Sequence, residues 1–176
     1  SRPDDRWLPL SSFASLGLIE PLRRAVAAES YETMTPIQAQ SIPPLLEGRD
    51  VLGCAQTGTG KTGAFMIPAL ERLRSGGGLQ VLALCPTREL AQQVADDTAS
   101  LAMGTNIRTA AIFGGVGYGP QIEALESGFE VIVATPGRFI DHAHSKRVDL
   151  SNVNCLVLDE ADRMLDMGFR PQIEEV

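Results

Sequence analysis

Short apolar runs that end in polar or glycine-rich segments, each followed by a helical pattern, constrain this chain more than any other feature. The runs cover residues 50–55, 79–85, 108–113, 130–134 and 155–158. Val81-Leu-Ala-Leu-Cys85 and Val131-Ile-Val-Ala134 are continuous rather than alternating, which is the pattern of strands covered on both faces. Helical patterns fill the intervals over residues 60–74, 88–103, 119–126 and 136–145, and from 161 onward. Two more, over 20–28 and 36–47, precede the first run. This order predicts an α/β fold of the doubly wound kind, an open parallel sheet with helices on both faces and right-handed crossovers. Gly76-Gly-Gly78 reads as a turn, and the chain has no internal repeat.

In such sheets ligands bind beyond the carboxyl ends of the strands, so the segment after each run is the informative one. The first run leads into Gln56-Thr-Gly-Thr-Gly-Lys-Thr62 and the second into Pro86-Thr-Arg-Glu-Leu90. Gly114-Gly115 follows the third, Thr135-Pro-Gly-Arg138 the fourth and Asp159-Glu-Ala-Asp162 the fifth. All five are expected along one edge of the sheet.

Ala55-Gln-Thr-Gly-Thr-Gly-Lys-Thr62 resembles a P-loop, with Ala55 where the strict pattern has glycine. Gly58 and Gly60 let backbone N–H groups curl around phosphates, and the following helix adds its positive end. Lys61 suits the β- and γ-phosphates, and the Thr62 hydroxyl suits magnesium. Asp159, at a strand end, is placed to hold magnesium through water, and Glu160 to deprotonate an attacking water. Acidic residues that merely complement a helix dipole give the same pattern. Thr35-Pro-Ile-Gln38 has the spacing of a capping box, which accounts for these residues without a ligand. Pro86-Thr-Arg88 and Thr135-Pro-Gly-Arg138 join strands to helix starts. Both could hold successive phosphates of a polymer, or be ordinary caps beside a solvated arginine.

The 176 residues suit one domain, and a 44% apolar, 21% charged composition excludes a disordered chain. The net charge of −7 argues against a module that grips nucleic acid by bulk positive charge, though not against local phosphate sites. Cys54, Cys85 and Cys155 have neither disulfide-framework nor zinc spacing and read as small buried hydrophobes of a reducing compartment. No apolar run approaches the roughly 18 residues of a membrane span, and Ser-Arg-Pro-Asp-Asp-Arg-Trp7 lacks a signal pattern. The expectation is a soluble cytoplasmic domain with no membrane partner. Trp7 reads as a packing anchor at most. His142 and His144, two apart on a helix, read as surface residues rather than metal ligands.

Together these segments resemble the first RecA-like domain of a DEAD-box RNA helicase. Asp159-Glu-Ala-Asp162 spells the family's name, and matching motifs run from Phe13 to about Phe169. The resemblance implies a RecA-like P-loop domain with ATP and Mg2+ as cofactors. Phe13 would stack on adenine, and Gln38 with the Thr33 backbone would select that base. Ala55, Gln56, Thr57, Gly58, Thr59, Gly60, Lys61 and Thr62 would surround the phosphates. Lys61, Thr62, Asp159 and Glu160 would carry hydrolysis, with Thr62 and Asp159 holding the metal. Asp162 would pair with a later motif. Pro86, Thr87, Arg88, Gly114, Gly115, Thr135, Pro136, Gly137 and Arg138 would hold RNA backbone without reading sequence. The resemblance further implies that RNA is held as a bent single strand, with local prying-apart of a duplex or remodelling of RNA–protein complexes.

The sequence departs from the family at Ser30, where glycine is usual ahead of Tyr31. It also stops at Val176, before the family's Ser-Ala-Thr motif and the second RecA-like domain. That motif's strand lies beside the P-loop strand in the family, so the expected sheet lacks a strand, which self-association could supply. The expected division is an N-terminal extension with the Q motif over 1–48 and an incomplete P-loop core over 49–176. Two other readings remain. The missing second domain would supply an arginine finger, worth about 10³–10⁵ in rate, so the piece alone could be a nucleotide-binding module with little catalysis. The acidic charge leaves open a P-loop ATPase that does not act on nucleic acid.

Overall fold

A computed structural model describes residues 12–176, which leaves Trp7 outside the described residues. The chain forms two compact units, Ser1–Arg72 and Leu73–Val176.

The first unit is helical. A short 3-10 helix, Phe13–Leu16, precedes α1 (Glu20–Ala28), α2 (Pro36–Leu46) and α3 (Lys61–Arg72). Leu22, Val26, Met34, Ile42, Met66 and Ile67 are fully buried. Both carboxylate oxygens of Glu71 accept the Ile19 N–H at 3.0 and 3.1 Å, so the end of α3 satisfies a donor at the start of α1.

Ser30 explains its own departure from the family. At the end of α1 the Tyr31 N–H reaches Val26 O and the Ser30 N–H reaches Ala27 O, both at 3.1 Å. This is a Schellman closure, whose penultimate residue must be left-handed. Ser30 has φ 60°. The same closure ends α2 on Gly48, at φ 85°. The left-handed region costs a side-chain-bearing residue about 1–2 kcal/mol, and glycine's extra chain entropy offsets part of the gain. Ser30→Gly is therefore expected to stabilise the protein by about 0.5–1 kcal/mol, raising the thermal midpoint by about 2 °C. A calorimetric midpoint equal to or below the parent's would refute this account.

The second unit contains the sheet. Its elements are β1 (Val81–Leu84), α4 (Arg88–Leu101), β2 (Thr109–Ile112), α5 (Tyr118–Ser127), β3 (Val131–Ala134), α6 (Pro136–His144), β4 (Cys155–Leu158), α7 (Ala161–Asp166) and α8 (Arg170–Glu175). The four strands are parallel in the order β2-β3-β1-β4. β1 and β3 lie inside and are buried at every position, as continuous apolar runs require. Leu82, Leu84, Ile112, Ile132, Phe139 and Met164 form the core.

The first sequence run makes no strand. Residues 50–55 are without strand pairing. An apolar run becomes a strand only when a neighbour accepts its backbone hydrogen bonds, and this run finds none among the described strands. β4 pairs with β1 alone and exposes Leu156 and Leu158. Cys54 is accordingly exposed and Cys155 half-buried. Of the three cysteines expected inside, only Cys85 is buried.

Glu130 fastens the amino-terminal side of the sheet. Its buried carboxylate accepts the Arg108 N–H at 2.8 Å and the Gly76 N–H at 3.0 Å, with the Arg108 guanidinium 3.7 Å away. Burial works to raise its pKa, but the two N–H donors and the guanidinium outweigh that and hold it below the usual carboxylate value. A depressed folded pKa gives stability that is present above the unfolded value, near 4.3, and is lost as pH falls through the folded one. Glu130→Gln is thus expected to cost about 2 kcal/mol at pH 7. The gap to the parent should narrow below about pH 4, as urea unfolding at a series of pH values would read. A gap independent of pH would refute the ion-bonded role.

Candidate functional site

The first unit builds a glycine loop on a buried glutamine. α2 starts at Pro36 with Thr35 as its N-cap, and the Thr35 N–H donates to Gln38 Oε1 at 2.9 Å, one arm of the expected capping box. Gln38 is only 1% exposed, and its other end is also used: Nε2 donates to Gly60 O at 3.1 Å. Capping is therefore half of what this residue does. The same carbonyl accepts the Ala64 N–H at 3.1 Å, so Gly60 closes the loop and opens α3. Gly58 and Gly60 have φ 80° and 82°. A Cβ on Gly60 would stand 2.5 Å from Gln38 Nε2 and 3.2 Å from Thr35 Oγ1, so a side chain there displaces the glutamine. The Thr59 hydroxyl donates to Gln56 O at 2.5 Å and tightens the turn. Lys61 and Thr62 form the first turn of α3. Left-handed glycines ahead of a twelve-residue helix make a concave row of N–H groups suited to phosphates. Phe13 is buried with its ring stacked on Tyr31, centroids 5.7 Å apart. Ser12 and Thr33 form a backbone bridge beside it.

The second unit lines up four of the expected segments. The register places Leu84 opposite both Ala134 and Leu158, and Ile112 opposite Ala134. The four strands thus end in one row, and Pro86–Arg88, Gly114-Gly115, Thr135–Arg138 and Asp159-Glu160 leave from it. The Thr87 hydroxyl caps α4 by accepting the Leu90 N–H at 3.2 Å. Arg88 is exposed with its guanidinium over the Phe113 ring. Thr135 and Pro136 open α6 as N-cap and first residue, and Gly137 and Arg138 complete its first turn.

Asp159 is 8% exposed at the end of β4, and its N–H donates to Leu84 O at 3.0 Å. Glu160 has φ 52° and ψ 49°, a left-handed conformation that a non-glycine residue adopts at a cost. Such strain gathers at functional sites. Cys85 feels both acids: burial first, then the charges of Asp159 and Glu160, push its thiol from 9.0 up to about 12. The thiol stays protonated and is no nucleophile. Asp162 is exposed in the first turn of α7. The Asp159 and Glu160 carboxylates are hard oxygen donors, the chemistry that Mg2+ prefers.

The histidine reading needs correction. His142 is fully buried; only His144 is exposed. His142 lies three residues after the buried Phe139 and so on its helix face, a relation that comparing the histidines only with each other overlooked. It belongs to a polar cluster with Tyr118, Gln121, Arg138 and Arg147, of which only Arg138 stands out in the sequence. Gln121 belongs to no motif and carries no sequence signal.

The DEAD/DEAH box helicase family model matches residues 35–176, which is more than half of the chain. The chain belongs to that family. It is 49% identical to the putative DEAD-box RNA helicase HEL64 of Trypanosoma brucei brucei, an alignment spanning 98% of this chain and 32% of that protein. It is 42% identical to DEAD-box ATP-dependent RNA helicase 20 of Arabidopsis thaliana, over 96% of this chain and 35% of that one. The crystal structure of a DEAD box protein from the hyperthermophile Methanococcus jannaschii superposes with a TM-score of 0.88 at 40% identity, covering 93% of this chain and 45% of that one. The chain thus spans about a third of the length of these two curated relatives. The DEAD-box chain has the expected α/β architecture with an open parallel sheet. Among its described residues no helix is long and apolar enough to cross a membrane.

Proposed function

We propose that this chain is the ATP-binding portion of an RNA-dependent ATPase whose turnover drives local RNA unwinding or the remodelling of RNA–protein complexes in the cytoplasm. The observation that carries the reading is the glycine loop locked on Gln38 within a family match that extends through Asp159-Glu-Ala-Asp162. The N–H groups of residues 55–60 and the Lys61 ammonium would receive the phosphates. Gln38 and the Thr33 backbone would select adenine, and Phe13 would stack on the base only where its buried ring is uncovered. The Thr62 hydroxyl and Asp159 would hold Mg2+, which supplies charge neutralisation at the phosphates. Glu160 would take the proton of the attacking water, and Asp162 would couple to a later motif. Pro86–Arg88, Gly114-Gly115 and Thr135–Arg138 would hold RNA phosphates and sugars, and the partner domain would be a second RecA-like domain. The test is ATP hydrolysis by the full-length protein with and without single-stranded RNA. Stimulation by RNA supports the reading; an RNA-independent rate together with no RNA binding at low salt would favour the P-loop ATPase without a nucleic-acid substrate.

A second reading suits the 176 residues alone, because the run before the phosphate loop forms no strand. Such a unit binds nucleotide with little catalysis, or completes its sheet with a second copy. Substantial turnover by the isolated chain as a monomer would exclude it.

A further inference from the structure

Gln121 is only 7% exposed, and each of its polar atoms is used. Nε2 donates to Phe113 O at 2.8 Å. Oε1 accepts from Arg138 Nη1 at 3.1 Å and from His142 Nε2 at 3.0 Å. The orientation of the amide is forced, since a carbonyl can only accept and a guanidinium can only donate. The histidine tautomer follows. Nε2 carries the proton, and Nδ1, 3.5 Å from Arg147 Nη1, is the acceptor. Burial lowers the His142 pKa, Arg147 and Arg138 lower it further, and Asp141 opposes them, so the ring is held neutral.

Arg138 makes a second bond, to Val116 O at 2.9 Å, while its guanidinium lies 3.9 Å from the Tyr118 ring centroid. The Tyr118 hydroxyl donates to Asp141 Oδ2 at 2.7 Å. The carbonyls on both sides of Gly114-Gly115 are therefore tied to one cluster, Phe113 O by Gln121 and Val116 O by Arg138. The turn itself is open. An added Cβ would meet nothing within 4 Å at Gly114, and only the Arg88 guanidinium, at 3.5 Å, at Gly115. An open backbone turn fixed from behind at both ends is pre-organised for a ligand that approaches from the front.

We infer that Gln121 is a positioning residue for RNA-backbone binding: its single amide fixes the double-glycine turn after β2 against the arginine-bearing helix after β3. The inference rests on the RNA reading above. A phosphate contact needs both segments held at once, and no other described side chain bonds to both Phe113 O and the Arg138 guanidinium. Without the amide, Arg138 keeps Val116 O but loses its fixed relation to Phe113.

The test uses the full-length protein, a fluorescein-labelled single-stranded uridine oligomer and a non-hydrolysable ATP analogue. Gln121→Met removes all three bonds at similar volume. Gln121→Glu keeps both acceptor contacts and sets a carboxylate oxygen against Phe113 O. Both are expected to weaken RNA binding about tenfold and to raise the RNA concentration for half-maximal ATPase by the same factor, while KM for ATP moves less than twofold. Equal losses in both KM for ATP and RNA affinity would mark a general structural defect and overturn the inference, as would parent-like RNA binding by both variants. Loss of fold in both variants would likewise overturn it and make Gln121 a stability element. If the unsubstituted protein binds no RNA, the RNA reading itself fails, a result distinguishable from all of these.

Discussion

Glu160→Gln is expected to lower RNA-stimulated ATP hydrolysis by about 10²–10⁴, the contribution of a positioned general base. The same position carries a second, opposite expectation. Glu160 sits at φ 52° and is the N-cap residue of α7, where its side chain makes no cap bond. Its ion pair with Arg163, 3.3 Å long and exposed on the arginine side, contributes little. On the proposed function, the left-handed backbone is kept for what the carboxylate does. Glu160→Gly should therefore raise stability by about 1 kcal/mol while removing turnover as completely as glutamine does. Glutamine keeps the strained backbone and should leave the melting midpoint nearly unchanged. Steady-state turnover at saturating RNA and ATP, with thermal unfolding of the same samples, reads both expectations. A glycine variant less stable than the parent would show that the side chain holds the fold, and an active glutamine variant would remove Glu160 from the mechanism.

The positions of most elements were legible because parallel strands buried on both faces write themselves as continuous apolar runs. β1 and β3 are buried at all four positions, and the runs that predict them are the clearest in the chain. Residues 50–55 look the same in sequence yet join no sheet, because a strand is a property of a pair and sequence shows only one member. The glycine loop was legible, since the Gly-Thr-Gly-Lys-Thr spacing asks for the left-handed backbone that Gly58 and Gly60 adopt. The use of Gln38 Nε2 on Gly60 O was not, because the two residues are 22 apart and capping already explained the glutamine.

Side-chain clusters were the least legible. Gln121, Tyr118, Arg138, His142 and Arg147 meet through contacts across α5, α6 and the segment after α6, and nothing in a short polar pattern records such a meeting. On the proposed function, a chain of net charge −7 that would offer Arg88 and Arg138 to RNA depends on fixed geometry more than on field. In this structure Arg138 is partly spent on Val116 O and Gln121. RNA affinity should then respond more to how the backbone turn is held than to added surface charge.

Gly60→Ala is expected to damage the protein more than Gly58→Ala, although both glycines have nearly the same backbone angle. At Gly58 an added methyl meets nothing within 4 Å, so only the left-handed penalty remains, about 1 kcal/mol after the gain from a less flexible unfolded chain. At Gly60 the methyl would stand 2.5 Å from Gln38 Nε2. The glutamine can yield, but it is buried, and yielding breaks its bond to Gly60 O and strains the one from Thr35 N–H. Leaving such groups unpaired adds about 1–3 kcal/mol, for a total near 2–4 kcal/mol. Because the displaced side chain is the one proposed to select adenine, Gly60→Ala should also erode the preference for ATP over GTP. Gly58→Ala should weaken both nucleotides alike. Adding Gln38→Ala to Gly60→Ala should cost less than the two single losses summed, since the methyl then has nothing to displace. Urea unfolding and nucleotide titration of the parent, the three single variants and the double variant decide it. Strict additivity, or equal losses at Gly58 and Gly60, would mean that Gln38 does not brace the loop.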